Sequence, residues 1–214
     1  MSKQRSKGAL LVFTKAPVRG KVKTRLIPGI GCRSAVLLYQ EFLTKTLSTA
    51  RKAGFSSIQV WVDGDLEHRY FNRLKSRHFI KLRKQKGKDL GERMFNAFDA
   101  VLRQYSYAVL IGSDCPSLKS SDLVSSAEYL KNNTDVVLGP AVDGGYYLIG
   151  MVKNNAQVFS NIKWGKDKVF NDTCENINAL GWKLDLLPER WDVDRTADLL
   201  PYFMLKRTSS VLYY

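Results

Sequence analysis

The stretch YAVLIGSDCP, residues 107–116, decides the fold. A short β-branched and aliphatic run that ends in a turn reads as a buried strand of an α/β sheet. Its turn delivers Asp114 at the strand's carboxyl end, where the loops of open α/β sheets diverge into a ligand crevice. Pro116 fixes the backbone and stops the strand. A carboxylate placed there suits a divalent cation, and a cation implies phosphates. The other reading of Asp114, as a cap for a helix starting near Ser120, stays open at this point.

Working outward, strands and helices alternate. GALLVFT (8–14) reads as the first strand, followed by a loop from Lys15 to Gly31 punctuated by Pro17, Gly20, Pro28 and Gly29. A helix is expected from Arg33 to Ala53, closed by Gly54. IQVWVD (58–63) is the second strand, Leu66 to Lys75 a helix, and FIKLRK (79–84) a third strand. Leu90, Met94, Ala97, Val101 and Leu102 have helical spacing over 90–104. After the strand ending at Asp114 come a helix over 121–131, VVLGPA (136–141), a DGG turn and YYLIGM (146–151). A helix over 167–179, the strand WKLDLL (182–187) and a helix over 196–206 complete the chain. The pattern predicts an α/β fold, a three-layer α/β/α Rossmann-like sandwich with a mixed, mainly parallel sheet, as one domain over 1–214.

Composition narrows the class. The 214 residues suffice for a full core, and 44% hydrophobic with 25% charged residues excludes both disorder and a membrane class. No apolar run approaches the roughly 20 residues of a membrane helix. Cys32, Cys115 and Cys174 are too few and too scattered for a disulfide framework or a zinc site, which fits a reducing cytoplasm. His68 and His78, in a charged stretch, read as solvated surface, and no Ser-His-Asp pattern points to hydrolysis. The net charge of +14 is concentrated. Residues 1–25 hold eight basic and no acidic residues, and residues 69–93 hold ten basic against Asp89 and Glu92; the remainder is near neutral. Such stretches suit an electrostatic funnel for a small polyanion or a nucleic-acid surface. Aromatics do not interleave with them as a single-strand stacking platform requires, which argues against nucleic acid.

Four loops carry the candidate chemistry. In TKAPVRGKVKTRL (14–26) an extended chain would turn Lys21, Lys23 and Arg25 to one side, behind Lys15, where cations and free backbone N–H groups meet phosphate. GKDLGERM (87–94) opens a helix whose N-terminus suits a nucleotide, although Asp89 also reads as a plain cap. GPAVDGGYYLIG (139–150) gathers Asp143, Tyr146 and Tyr147 around Gly144-Gly145, and Asp143 could contact a sugar hydroxyl or act as a base. In RWDVDRTADL (190–199) Asp192 or Asp194 could join Asp114 around Mg²⁺ or Mn²⁺, or cap the following helix.

FTKAPVRGKVKTRLIP, KDLGERM, IGSDCP, GPAVDGGYYLIG, IKWG and DVD, in that order over residues 9–199, resemble the bacterial transferases of the nucleotide-diphospho-sugar transferase superfamily. Some of these are glycosyltransferases of arsenosugar biosynthesis, and KTRL (23–26) is also similar to the loop of 2-phospholactate guanylyltransferases. The chain departs from that pattern at Arg19, Lys166 and Arg195-Thr196, the last beside Asp194. The resemblance implies a GT-A-like fold and a nucleotide held by the first loop, with Mg²⁺ or Mn²⁺ on Asp114.

The candidate site that follows places Asp114, Asp194 and Asp192 at the metal. Thr14, Lys15, Lys21, Lys23, Arg25, Leu90, Gly91 and Ser113 are placed at the nucleotide, and Asp143, Gly144, Gly145, Tyr146 and Trp164 at the sugar or acceptor. Asp143, Lys23 and Arg25 are the candidate catalytic residues. The expected reaction moves a sugar from a nucleotide-diphospho-sugar to a small acceptor. The alternatives are nucleotidyl transfer from a nucleoside triphosphate to a phosphorylated small molecule, which the lone aspartate of SDCP favours over a D-x-D pair, and a non-catalytic nucleotide-binding module.

Overall fold

The computed structural model describes residues 7–78 and 80–211. Among the described residues seven strands form one sheet: β1 (Gly8–Lys15), β2 (Ser57–Asp63), β3 (Lys81–Lys84), β4 (Tyr107–Gly112), β5 (Val136–Pro140), β6 (Tyr146–Met151) and β7 (Leu184–Leu186). Their order is β3-β2-β1-β4-β6-β5-β7. Only β6 runs against its neighbours β4 and β5; every other pairing is parallel. The hairpin across the Gly-Gly turn accounts for that one reversal.

The period-two alternation of β1 builds two cores. Leu10 and Val12 face a cluster with Leu43 and Leu47 of α1 (Ile27–Arg51), Phe71 and Leu74 of α2 (Arg69–His78), and Leu123 and Leu130 of α4 (Ser120–Lys131). Ala9, Leu11 and Phe13 face Met94, Phe98 and Val101 of α3 (Leu90–Leu102), together with Ile177 of α5 (Val169–Ala179). A helix–sheet–helix sandwich results, with α6 (Leu199–Val211) laid on α1 through an edge-to-face contact of Phe42 and Tyr202, 5.0 Å between centroids.

Strand order explains where a ligand goes. The β1–α1–β2 and β2–α2–β3 units step one way along the sheet with their helices on one face. The β3–α3–β4 unit steps back the other way, and its helix lies on the opposite face, as right-handed crossovers require. The reversal leaves a crevice between the carboxyl ends of β1 and β4.

Several boundaries differ from the sequence reading. The first helix begins at Ile27 rather than Arg33, because Pro28 is favoured in a first helical turn, yet Gly31 (φ 75°) breaks helical geometry there. The second helix starts at Arg69 instead of Leu66, since the Asp65 carboxylate accepts from Glu67 N at 2.8 Å and holds a turn. β3 begins at Lys81, and the expected strand residue Phe79 lies outside the described residues, as do Lys3 and Arg5 of the basic N-terminus. β7 shrinks to Leu184–Leu186, and α6 runs on to Val211 after a 3₁₀ turn at Thr196–Asp198.

Candidate functional site

The crevice between β1 and β4 is a cleft of about 460 Å³ lined by residues from the ends of β1 to β4, the first loop, α3 and the 191–195 segment. Thr14, Lys15, Lys21, Lys23, Arg25, Leu90, Ser113, Asp114 and Asp194 of the expected site all line it. The phenol of Tyr39 ties the two strand ends together. It lies 2.7 Å from Thr14 Oγ1, accepts from Lys15 N at 2.7 Å, and accepts from Ser113 Oγ at 3.2 Å. Burial pushes this phenol up, so it stays protonated.

The first loop is not extended. A turn through Gly20 (φ 75°) and a left-handed Lys23 (φ 46°) lead into a 3₁₀ turn at Thr24–Leu26, so the three cations reach the cleft from a turn and not from one side of an extended strand. They divide the work instead. Lys23 turns inward, its side chain 4% exposed, and donates to Asp114 Oδ2 at 2.9 Å and to the Val193 carbonyl at 2.6 Å. Burial opposes its charge, but the adjoining Asp114 carboxylate outweighs that, with help from Asp192 and Asp194, and holds the ammonium above the usual lysine range. Arg25 stays exposed and pairs with Asp194. Lys21 is exposed on the cleft wall.

Asp114 lies two residues beyond β4 and caps nothing; α4 is capped by the reciprocal contacts of Lys119 and Asp122. The 190–194 segment is stitched alongside. Ser117 Oγ donates to the Trp191 carbonyl at 2.6 Å and accepts from Trp191 N at 3.0 Å. Arg190 forks onto the buried Asp122 at 2.8 and 2.7 Å. Asp198, rather than Asp192 or Asp194, caps the next turn, accepting from Asp194 N and Arg195 N. Both candidate carboxylates are thus released from capping. Burial, then the charges of Asp114 and Asp143, push the Asp192 carboxyl up to about 6. Among the described residues no three His, Cys, Asp or Glu side chains are grouped closely enough to hold a metal by themselves.

Asp89 is the plain cap of α3, accepting from Glu92 N at 2.8 Å. Gly91 does not line the cleft. A Cβ there would stand 2.7 Å from Trp164, so Gly91 is the seat on which Trp164 packs. Asp143, Gly144, Gly145, Tyr146, Trp164 and Asp192 of the expected site do not line the cleft either. Asp143 is exposed; its Oδ1 accepts from Gly145 N at 2.9 Å, and its charge is felt at Arg25 and Asp192. Gly144 (φ 84°) is wedged against Asp167, whose carbonyl oxygen would lie 2.0 Å from an added Cβ. Tyr146 and Tyr147 depart from the expected substrate side. The Tyr146 hydroxyl turns inward toward Met94 Sδ at 3.9 Å, and Tyr147 is buried in the opposite core with its hydroxyl donating to the Pro188 carbonyl at 3.1 Å. Consecutive strand residues face opposite ways, so both serve packing.

Seven lining residues were not among the expected site residues: Phe13, Val22 and Thr24 beside residues that were, and Tyr39, Asp63, Gln85 and Arg93 further off. Arg93 pairs with Asp63 at 2.7 Å, and Gln85 Nε2 donates to the carbonyls of Thr14 and Trp61. Asp63 ends β2 much as Asp114 follows β4, a signal visible in IQVWVD; Tyr39 sits mid-helix and gave none.

Comparison with known proteins adds the following. The bacterial family described as "Uncharacterized protein conserved in bacteria (DUF2064)" matches residues 46–166. A Desulfovibrio desulfuricans protein described as a "putative nucleotide-diphospho-sugar transferase" is 33% identical, with a TM-score of 0.80 over 88% of this chain and 82% of that one. A nucleotidyl transferase from Methanothermobacter thermautotroptrophicus superposes with a TM-score of 0.62 at 15% identity, over 94% of this chain and 99% of that one. A manganese complex of the Rv0371c protein of Mycobacterium tuberculosis H37Rv gives 0.54 at 15% identity, over 91% and 96%. The last two likenesses are of fold alone. No curated protein sequence matches the chain.

Proposed function

The chain belongs to the bacterial DUF2064 family, and from that premise and the geometry of the cleft we propose that it is a metal-dependent glycosyltransferase. It takes a nucleotide-diphospho-sugar as donor and a small hydroxyl-bearing acceptor. The observation that carries this reading is the division of charge across one crevice. Lys15, Lys21 and Arg25 line the crevice together with Asp114 and Asp194, and Asp192 and the exposed Asp143 lie near enough for their charges to act on Arg25. The described relative at 33% identity supports the superfamily.

The donor set fits a hard divalent cation. All candidate ligands are carboxylate oxygens, and the charge of Asp192 is opposed by burial and by Asp114 and Asp143, only partly relieved by Lys23. One or two carboxylates plus substrate phosphates are what Mg²⁺ requires, so a closed protein cage is not needed. A cation held by Asp114 with Asp192 or Asp194 would neutralise charge on the departing diphosphate. Lys15, Lys21 and the guanidinium of Arg25 bind the same phosphates. Lys23 orients Asp114 rather than touching phosphate itself. Asp143 accepts the acceptor's hydroxyl proton as the acceptor oxygen bonds to the anomeric carbon and the bond from that carbon to the diphosphate oxygen breaks.

Nucleotidyl transfer is the second reading, favoured by one observation: the carboxylates come from two separated segments, after β4 and after β7, rather than from a single D-x-D pair. The experiment runs a panel of nucleotide-sugars and nucleoside triphosphates with Mg²⁺ or Mn²⁺, and identifies products by mass spectrometry. Release of a nucleoside diphosphate from a nucleotide-sugar, dependent on acceptor, supports glycosyl transfer. Pyrophosphate release from a triphosphate, with no use of any nucleotide-sugar, overturns it.

A further inference from the structure

Behind the first loop, outside the cleft, Arg19, Arg33, Arg69 and Arg73 line a separate groove of about 250 Å³. They come from three elements: Arg19 from the loop, Arg33 from α1, and Arg69 with Arg73 one turn apart on α2. Arg33, Val36, Leu37 and Gln40 also line the groove and repeat at i, i+3, i+4 and i+7, so one face of α1 forms a wall. The two helices are fixed to each other. The Tyr70 hydroxyl donates to the Gln40 carbonyl at 2.8 Å and lies 3.0 Å from Thr44 Oγ1.

Among the described residues no acidic one lines this groove. Among the described residues, Arg19, Arg33 and Arg69 make no ion pair. Like charges drawn from three elements into one concavity repel unless an anion joins them, and guanidinium forks match phosphate oxygens in pairs. The groove shares no lining residue with the nucleotide cleft; Val22, Val36 and Tyr39 pack between the two.

We propose that this groove is a second anion site, for a ligand carrying two or more phosphate groups, whether a free polyphosphate or the headgroup of a phospholipid. The site stands independently of the transfer reaction. It touches that reaction only through the loop, since Arg19 precedes Lys21 by two residues across the Gly20 turn.

Tripolyphosphate titrated at physiological salt by calorimetry tests it, on the parent protein, on Arg33→Gln/Arg69→Gln, and on the cleft variant Lys21→Ala/Arg25→Ala. Lys21 and Arg25 also meet phosphate in the cleft, so the groove is read in the cleft variant's background: adding Arg33→Gln/Arg69→Gln to it should weaken the remaining binding at least about tenfold. Circular dichroism checks that each is folded, and Arg33→Lys/Arg69→Lys, which keeps the charge but not the fork, should recover binding only in part. Sedimentation with phosphatidylinositol-phosphate vesicles against phosphatidylcholine vesicles distinguishes a headgroup from a free ligand. Absence of any binding in the cleft variant, no further loss when the groove substitutions are added to it, or binding only to an oligonucleotide would each overturn the proposal.

Discussion

Lys23 shows how a local turn changes what a residue's spacing suggests it does. Its spacing with Lys21 and Arg25 suggested a phosphate ligand, but a left-handed turn buries it and commits its ammonium to Asp114 and Val193. Lys23→Met should therefore destabilise the fold as well as weaken nucleotide binding. Asp114 is 42% exposed, so the loss should fall to about 2 kcal/mol, below the roughly 3–5 kcal/mol of breaking a fully buried pair. Chemical denaturation reads it, and a variant as stable as the parent would remove the positioning role. Asp192 gives a pH signature. Its folded carboxyl sits up at about 6, above the unfolded value, so the folded state holds the extra proton between about pH 4 and 6. Stability of the metal-free protein should thus fall as pH rises through that window. Asp192→Asn should abolish that dependence and stabilise the protein at pH 7 by about 1–2 kcal/mol, after discounting for its partial exposure.

Among the elements, the 141–145 turn is the one whose glycines differ most in kind from those of the first loop. Gly20 has nothing within 4 Å of an added Cβ, whereas Gly144 would drive one into the Asp167 backbone. Gly20→Ala should cost about 1 kcal/mol for its left-handed conformation alone. Gly144→Ala adds overpacking and should cost about 3 kcal/mol, displacing Asp143 and reducing transfer more than nucleotide affinity. Thermal melts with parallel turnover assays separate the two; equal effects would place Asp143 outside the reaction. Strands were the most legible elements, because buried β-branched runs bounded by turns leave few alternatives. Helix starts were harder to read. Pro28 and Gly31 both punctuate a loop in sequence, yet one opens a helix and the other bends it.

At the scale of the whole molecule, the site exists because strand order reverses between β1 and β4 and because a distant segment is pinned over the gap. The ends of β1 and β4 could be read locally as ligand-bearing. The contribution of Tyr39, Gln85 and Arg93 could not, since it depends on which strands become neighbours. The pin is the Arg190–Asp122 pair, with side chains 16% and 3% exposed. Arg190→Met leaves Asp122 buried without its guanidinium and should cost about 3 kcal/mol. It should also loosen Asp192 and Asp194, weakening metal-dependent binding while Lys21 and the first loop stay in place. Hydrogen exchange across 188–196 would report that loosening.

The transfer reaction requires the crevice to hold a nucleoside diphosphate through a cation on Asp114. The direct measurement is calorimetric titration of nucleoside diphosphates into the parent and Asp114→Asn, each with Mn²⁺ and with chelator. Binding by the parent only when Mn²⁺ is present, and no binding by a folded Asp114→Asn, is the predicted result. Equal affinity with and without the cation, or an Asp114→Asn variant that binds like the parent, would contradict it.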